Sequence, residues 1–363
     1  MIHQKTRSML PYISSWSAIV LPMVVLLMIG FTADLTAQDQ NTPENQTATE
    51  PATRHLVVVQ GVAGGDQYAT RFEQWSQQWL SAANVAGFRV TSIDGSNTEK
   101  GSDQELQETL LAANQIDELW LVMIGHGTFD GETAKFNLVG DDVSAKQLAE
   151  WLKSRDKMTV IVNCSACSSP FVDELSGKNR IVITSTKSGY ESSFSHFGQF
   201  LAETISASDV DLDKDEQMSL LEAVIVASSK TTEFYKADSR LETEHALIED
   251  NSDSRGTPLS WYRGVRVTKQ AKDGTPADGT LANQIYFAVN KSGAGLSPAA
   301  TKTRNRLENE IEQLRASRSK LTEDQYYQQL EEVMVQLAQL YRAAESEQAD
   351  PGSETGATGG SDQ

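Results

Sequence analysis

Cysteine is nearly absent from this chain: 363 residues hold two, Cys164 and Cys167. A disulfide framework is therefore excluded, and the fold must rest on its apolar core. Positive charge is also scarce. With 31 Lys and Arg against 50 Asp and Glu the net charge is -19, which repels phosphate backbones and excludes nucleic acid as an expected partner. The apolar stretch at residues 18–31 is interrupted by Pro22 and falls short of the roughly 20 residues a membrane helix needs. No Gly-x-Ser-x-Gly elbow and no His-Glu-x-x-His pair occurs, which removes the basis for serine-hydrolase and zinc-peptidase chemistry. The glycines of Gly61-Val62-Ala63-Gly64-Gly65 match neither a dinucleotide loop nor a phosphate loop, and they read as a tight strand-to-helix turn.

What is present divides the chain into segments. Residues 1–37 read as an export signal or an uncleaved anchor: His3, Lys5 and Arg7 precede the apolar stretch, and Leu35-Thr36-Ala37 offers a small-residue cleavage site. Either way the folded part is expected outside the cytoplasm. Residues 38–53 and 347–363 are polar and poor in apolar side chains, as disordered segments are. A hydrophobic content of 39% is sufficient for a packed core between them.

Apolar, β-branched runs at residues 55–60, 88–93, 119–124, 159–162 and 180–185 read as strands. Helical periodicity falls between them, at 68–82 through Phe72, Trp75 and Trp79, at 102–114 behind a capping-box pattern opened by Ser102, and at 144–154. Strands alternating with helices predict an α/β fold with a mainly parallel sheet covered on both faces. Further helices are expected at 194–205, 219–235 and 239–248, with an irregular extension over 251–300 that holds short strand-like pieces at 261–267 and 284–289. Residues 301–346 predict a C-terminal helical hairpin, one helix presenting Leu307, Ile311 and Leu314 and the other Leu330, Val333, Leu337 and Leu340. Such a hairpin either packs on its own domain or self-associates.

Two of the strands end in reactive residues. One leads into Gly125-His126-Gly127 and the other into Asn163-Cys164-Ser165-Ala166-Cys167. If the two are neighbours in a parallel sheet, an imidazole and a thiol meet at its carboxyl edge, where open α/β sheets place their ligands. A cysteine nucleophile with a histidine base requires that arrangement. Cys167, just before the helix that Pro170 can start, is expected to have a lowered pKa; Cys164 is the alternative nucleophile, nearer the strand end. The Cys-x-x-Cys spacing also permits a redox dithiol.

These elements resemble the caspase-like cysteine peptidases, the clan of legumain, caspase and gingipain, and the legumain side most. The resemblance rests on the strand with His126-Gly127, the strand with the Cys164 to Ser169 cluster, and Ile183-Thr184-Ser185-Thr186 followed by Gly189-Tyr190-Glu191-Ser192-Ser193-Phe194. It implies a caspase-like three-layer sandwich over residues 54–250 and an endopeptidase acting on peptide or protein substrates. In it His126 and Cys167 form the dyad, and the N–H groups of Gly127 and the cysteine bind the oxyanion. By the same resemblance Tyr190, Glu191 and Ser192 border the substrate pocket. In the clan a glycine closely follows the cysteine, whereas here Ser168, Ser169 and Pro170 do, so a catalytically inactive relative serving as a binding or scaffolding module is the competing expectation.

Asp211, Asp213 and Asp215, with Gln217, Ser219 and Glu222, follow the ligand spacing of an EF-hand loop and predict a structural Ca2+. Glu216 stands where such loops carry glycine, and is expected to take a left-handed backbone.

Overall fold

The computed structural model describes residues 53–97, 99–207, 209–215, 217–288 and 296–349. The expected leader, most of the expected linker and residues 350–363 of the expected tail lie outside the described residues.

In chain order the elements are β1 Arg54–Gln60, α1 Asp66–Val85, β2 Arg89–Ile93, α2 Ser102–Ala112, β3 Glu118–Ile124, β4 Gly127–Phe129, β5 Ala134–Phe136, β6 Val143–Ser144, α3 Ala145–Trp151 and β7 Met158–Asn163. Then follow α4 Pro170–Leu175, β8 Arg180–Thr184, α5 Phe197–Ala207, α6 Leu220–Ala237, β9 Leu247–Glu249, β10 Thr257–Pro258, α7 Pro298–Ser317 and α8 Glu323–Ala349. The main sheet has the order β10-β9-β8-β7-β3-β1-β2. Its five long strands are parallel, and β9 and β10 continue it antiparallel at one edge.

Continuous apolar runs make the central strands because both of their faces are covered. Leu56 to Val59 and Leu119 to Ile124 are fully buried. Alternate residues serve opposite layers. Leu56, Val58, Trp120 and Val122 face α1, α5 and α6, while Val57, Val59, Leu119 and Leu121 face α2, α3 and α4. The first layer is rich in rings, with Trp79 lying 6.3 Å from Trp120 and 5.5 Å from Phe287. At the amino edge of the sheet the buried Arg155 donates to the carbonyls of Ala113, Asn114, Ile116 and Met158, closing that edge. The carboxyl edge carries the long loops.

Several local expectations change. Gly101 is the N-cap of α2, and Ser102 sits inside the helix with its buried hydroxyl unpartnered instead of capping. Residues 239–246 are not helical: a turn at Ser239, with φ 53°, is followed by irregular chain that leads into β9. After His126 the chain builds a small sheet, β4-β5-β6, whose strands of two or three residues are too short for periodicity to reveal. The strand-like piece at 261–267 is a hairpin of Tyr262–Arg263 with Arg266–Val267, and near 286 a single bridge joins Tyr286 to Ser219. The helical hairpin is present, with Leu307, Ile311 and Val333 at its buried seam. Its second helix continues to Ala349, three residues into the segment expected to be disordered. Among the described residues no helix is long and apolar enough to cross a membrane.

Candidate active site

Strands β3 and β7 are adjacent and parallel, with Met123 opposite Asn163, and the pairing persists one residue further as Cys164 N donates to Met123 O at 2.9 Å. The segments beyond both strands therefore leave the sheet side by side. A Cβ placed on Gly127 would lie 2.3 Å from Ala166 O and 2.7 Å from Ser165 Oγ, so only glycine lets the His126 turn press against the backbone that precedes Cys167.

His126 is half-buried and held by one hydrogen bond and three aromatic rings. Its Nε2 lies 3.0 Å from the carbonyl oxygen of Ala63, in the turn after β1. A carbonyl only accepts, so this contact places the proton on Nε2 and leaves the Nδ1 lone pair to act as a base. Around the ring stand Tyr68 and Phe72 of α1 at 4.9 and 5.2 Å and Phe194 at 5.9 Å, all edge-on. The sequence marked the Ala63 turn only as structural, because a backbone carbonyl leaves no side-chain signature.

The two cysteines have different surroundings, and both are free thiols. Cys164 is 1% exposed and lies in the ring-rich layer, where a Cβ on Gly198 of α5 would meet its Sγ at 3.1 Å. Burial, reinforced by the charge of Glu244, pushes this thiol up to about 12. Cys164 is thereby placed as a small core side chain. Cys167 stands on the turn between β7 and α4 with φ 56°, a left-handed backbone that costs a non-glycine residue about 1–2 kcal/mol.

The Cys167 environment departs from expectation in two respects. Burial raises the thiol above its ordinary value instead of lowering it, because the side chain is almost wholly enclosed. Its N–H, expected to face an oxyanion, donates to Glu191 O at 3.0 Å. Among the described residues neither sulfur shares a hydrogen bond with the imidazole, whose ring nitrogen is engaged with Ala63.

Buried hydroxyls and one amide hold the residues that follow the cysteine strand. Thr186 Oγ1 accepts from Ser168 N at 2.8 Å and Ser169 N at 3.2 Å, Ser185 Oγ donates to Ser165 O at 2.5 Å, and Asn163 Oδ1 accepts from Ser165 N and Oγ. These bonds fix the cysteine turn to the segment after β8. Thr186 was within the motif read from the sequence, but its role depends on a contact 18 positions away.

Of the residues expected to border the pocket, Tyr190 is 78% exposed and rests edge-on against Phe129 of β4 at 5.3 Å. Ser192 is exposed as well. The Glu191 carboxylate turns away, accepting from Lys187 N and His245 N and lying 2.6 Å from His245 Nδ1.

In the acidic loop, Asp211, Asp213 and Asp215 bring carboxylate oxygens within 4.8 Å of one another. Burial and the neighbouring carboxylates Asp215 and Glu222 push Asp213 up to about 7. Glu222 Oε1 accepts from Leu212 N and Asp213 N, while its Oε2 accepts from Ser219 N and Oγ, forming a capping box on α6. The left-handed residue is Lys214 with φ 66°; Glu216 lies outside the described residues. Gln217 is nearly buried, its N–H bonded to Asp215 Oδ1. Arg304 of α7 approaches Asp215 at 3.7 Å, tying the helical hairpin to this loop.

No family model matches the chain, and no curated protein matches it. Among solved structures, the Drosophila initiator caspase Dronc matches with 12% identity and a TM-score of 0.36, over 57% of this chain and 82% of that one. Caspase-1 from Spodoptera frugiperda matches with 11% identity and a TM-score of 0.35, over 57% of this chain and 90% of that one.

Proposed function

We propose that the chain is a cysteine endopeptidase of caspase-like architecture, with Cys167 as nucleophile and His126 as base. The observation that supports it best is the pairing of a thiol on a left-handed strand-end turn with an imidazole, one strand over, whose tautomer Ala63 O fixes. In this reading His126 Nδ1 takes the thiol proton as sulfur attacks the scissile carbonyl carbon, and a tetrahedral intermediate forms. His126 then returns the proton to the leaving amine as the C–N bond breaks. Water, deprotonated by the same ring, hydrolyses the thioester and restores the thiol.

A substrate that displaces Glu191 O frees the Cys167 N–H for the oxyanion, beside that of Gly127. Tyr190 and Ser192 then flank the bound peptide. The test is hydrolysis of a fluorogenic peptide library. Cys167→Ala abolishes turnover, His126→Ala lowers it by roughly 10²–10⁴, and Cys164→Ala retains it; activity unchanged in the first two variants removes the dyad.

The enclosed thiol and the engaged N–H also favour a second reading, an inactive binding module. It predicts that peptides bind and are never cut.

Three further parts belong to the proposal. Residues 1–37 carry the chain out of the cytoplasm, cleaved or retained as an anchor, which fractionation of cells with and without them tests. The helical hairpin self-associates through α8, whose Tyr327, Met334 and Val335 are exposed; a monomeric mass by light scattering contradicts this. The 211–222 loop holds Ca2+, supported by the three converging carboxylates. Chelation lowers the melting temperature there and Asp213→Ala lessens the effect; an unchanged melt with chelator argues against the ion.

A further inference from the structure

A second group of carboxylates lies far along the chain from the acidic loop, where β9 turns into β10. Glu249 is fully buried at the end of β9, Asp278 is 4% exposed on the segment that crosses beside it, and Asp253 sits in the turn between the two strands. One carboxylate oxygen from each lies within 4.8 Å of the other two. The buried Asp250 adjoins them, its oxygens accepting from Gly279 N and Ala282 N.

Most of these oxygens have donors. Asp278 accepts from Asp250 N, Asn251 N, Thr257 N and Thr257 Oγ1. Glu249 Oε1 accepts from Ser176 Oγ and Asp253 N, and Asp253 Oδ1 from Arg255 N. Two oxygens remain: Glu249 Oε2 and Asp253 Oδ2 are enclosed and have no hydrogen-bond partner. Among the described residues no Lys or Arg forms an ion pair with any of the four acids, although Arg255, two residues from Asp253, pairs with Asp273 instead. Buried negative charge without a counter-charge is unfavourable, and is relieved either by taking up a proton or by binding something positive.

We infer that Glu249, Asp253 and Asp278 form a site for a hard divalent cation, with the orphaned Glu249 and Asp253 oxygens as its inner ligands. An all-oxygen set suits such an ion. Two oxygens on one Ca2+ lie at most about 5 Å apart, twice a typical Ca–O distance, and the observed spread falls inside that limit. Exposed Asn251, Ser252 and Ser254 give the ion access from solvent. Bound there, it pins the β9–β10 turn to the 276–282 segment. It also steadies the strand that starts just after His245, the partner of Glu191 beside the cysteine. The site is independent of both the peptidase reading and the 211–222 loop.

The experiment uses the full chain carrying Asp213→Asn, which disables the first loop, stripped with chelator and titrated with CaCl2 by calorimetry and thermal melting. The expected result is saturable binding with a rise in melting temperature of several degrees, and affinity roughly tenfold or more weaker when Glu249→Gln and Asp253→Asn are added. The two amides keep the acceptors that fix the turn, and Asp253→Asn alone, at the partly exposed acid, supplies the same comparison should the combined variant unfold. Absence of binding in Asp213→Asn, or affinity undiminished by the amides, overturns the site.

Discussion

Cys164 and Cys167 are three positions apart, yet one lies in the core and the other on a strained turn. Their spacing was legible in the sequence; their difference was not, because it depends on where the strand stops and on α5 packing over Cys164. The same holds for His126. Its place at a strand end was legible, but the Ala63 carbonyl and the three aromatic rings come from elsewhere in the chain. Cys164→Ser places a hydroxyl in the buried, ring-rich apolar layer and is expected to lower stability by about 1–3 kcal/mol. Urea denaturation measures this. A loss of a few tenths shows that Cys164 is not a core residue.

At the scale of elements, long periodic segments were legible and short ones were not. The five parallel strands and α1 announced themselves through unbroken apolar runs and a ring stripe. No helix forms over 239–248, where the sequence predicts one, because a tertiary contact decides the shape of this segment. Buried Glu244 accepts from Ser195 Oγ, His196 N, Phe197 N and Tyr235 OH, capping the start of α5 from 47 positions away. These contacts tie a non-helical segment to the start of α5 and override local helix propensity. Glu244→Gln exchanges one accepting oxygen for a donating amide opposite N–H and O–H groups. The expected loss is about 1–3 kcal/mol in a urea or thermal melt, and an unchanged midpoint contradicts the capping role.

For the molecule as a whole, the α/β class and the covering of both sheet faces followed from the alternation of strand and helix. The small β4-β5-β6 sheet and the antiparallel edge did not, since strands of two or three residues carry too little pattern. Stability as a function of pH is also a property of the whole. His55, 3% exposed in β1, is lowered to about 4 by burial and then by Arg89 and Arg155, and His196 is lowered to about 4 by burial and then by Arg71 and Arg240. Below pH 6.5 the unfolded chain takes up protons that these folded rings refuse. Their contribution is therefore complete at pH 7 and is lost progressively as pH falls from 6.5 through about 4. For His55 the loss is on the order of 3 kcal/mol. The buried acids Asp213 and Asp278, raised to about 7, act in the opposite direction over this range, so the histidine contribution is read from a difference: His55→Gln, which keeps a partner for Thr91 Oγ1, is destabilised less than wild type on going from pH 7 to 4.5 in urea melts, and an identical pH dependence in the two shows that His55 does not contribute.

The proposed service of His126 to Cys167 and not to Cys164 is tested most directly by the rate at which iodoacetamide alkylates each thiol, followed by peptide mapping in wild type and His126→Ala. Cys167 is expected to be modified about 10²-fold faster than Cys164, and this advantage to fall about tenfold or more without the imidazole. Equal rates at the two sulfurs, or a Cys167 rate indifferent to His126, would contradict it.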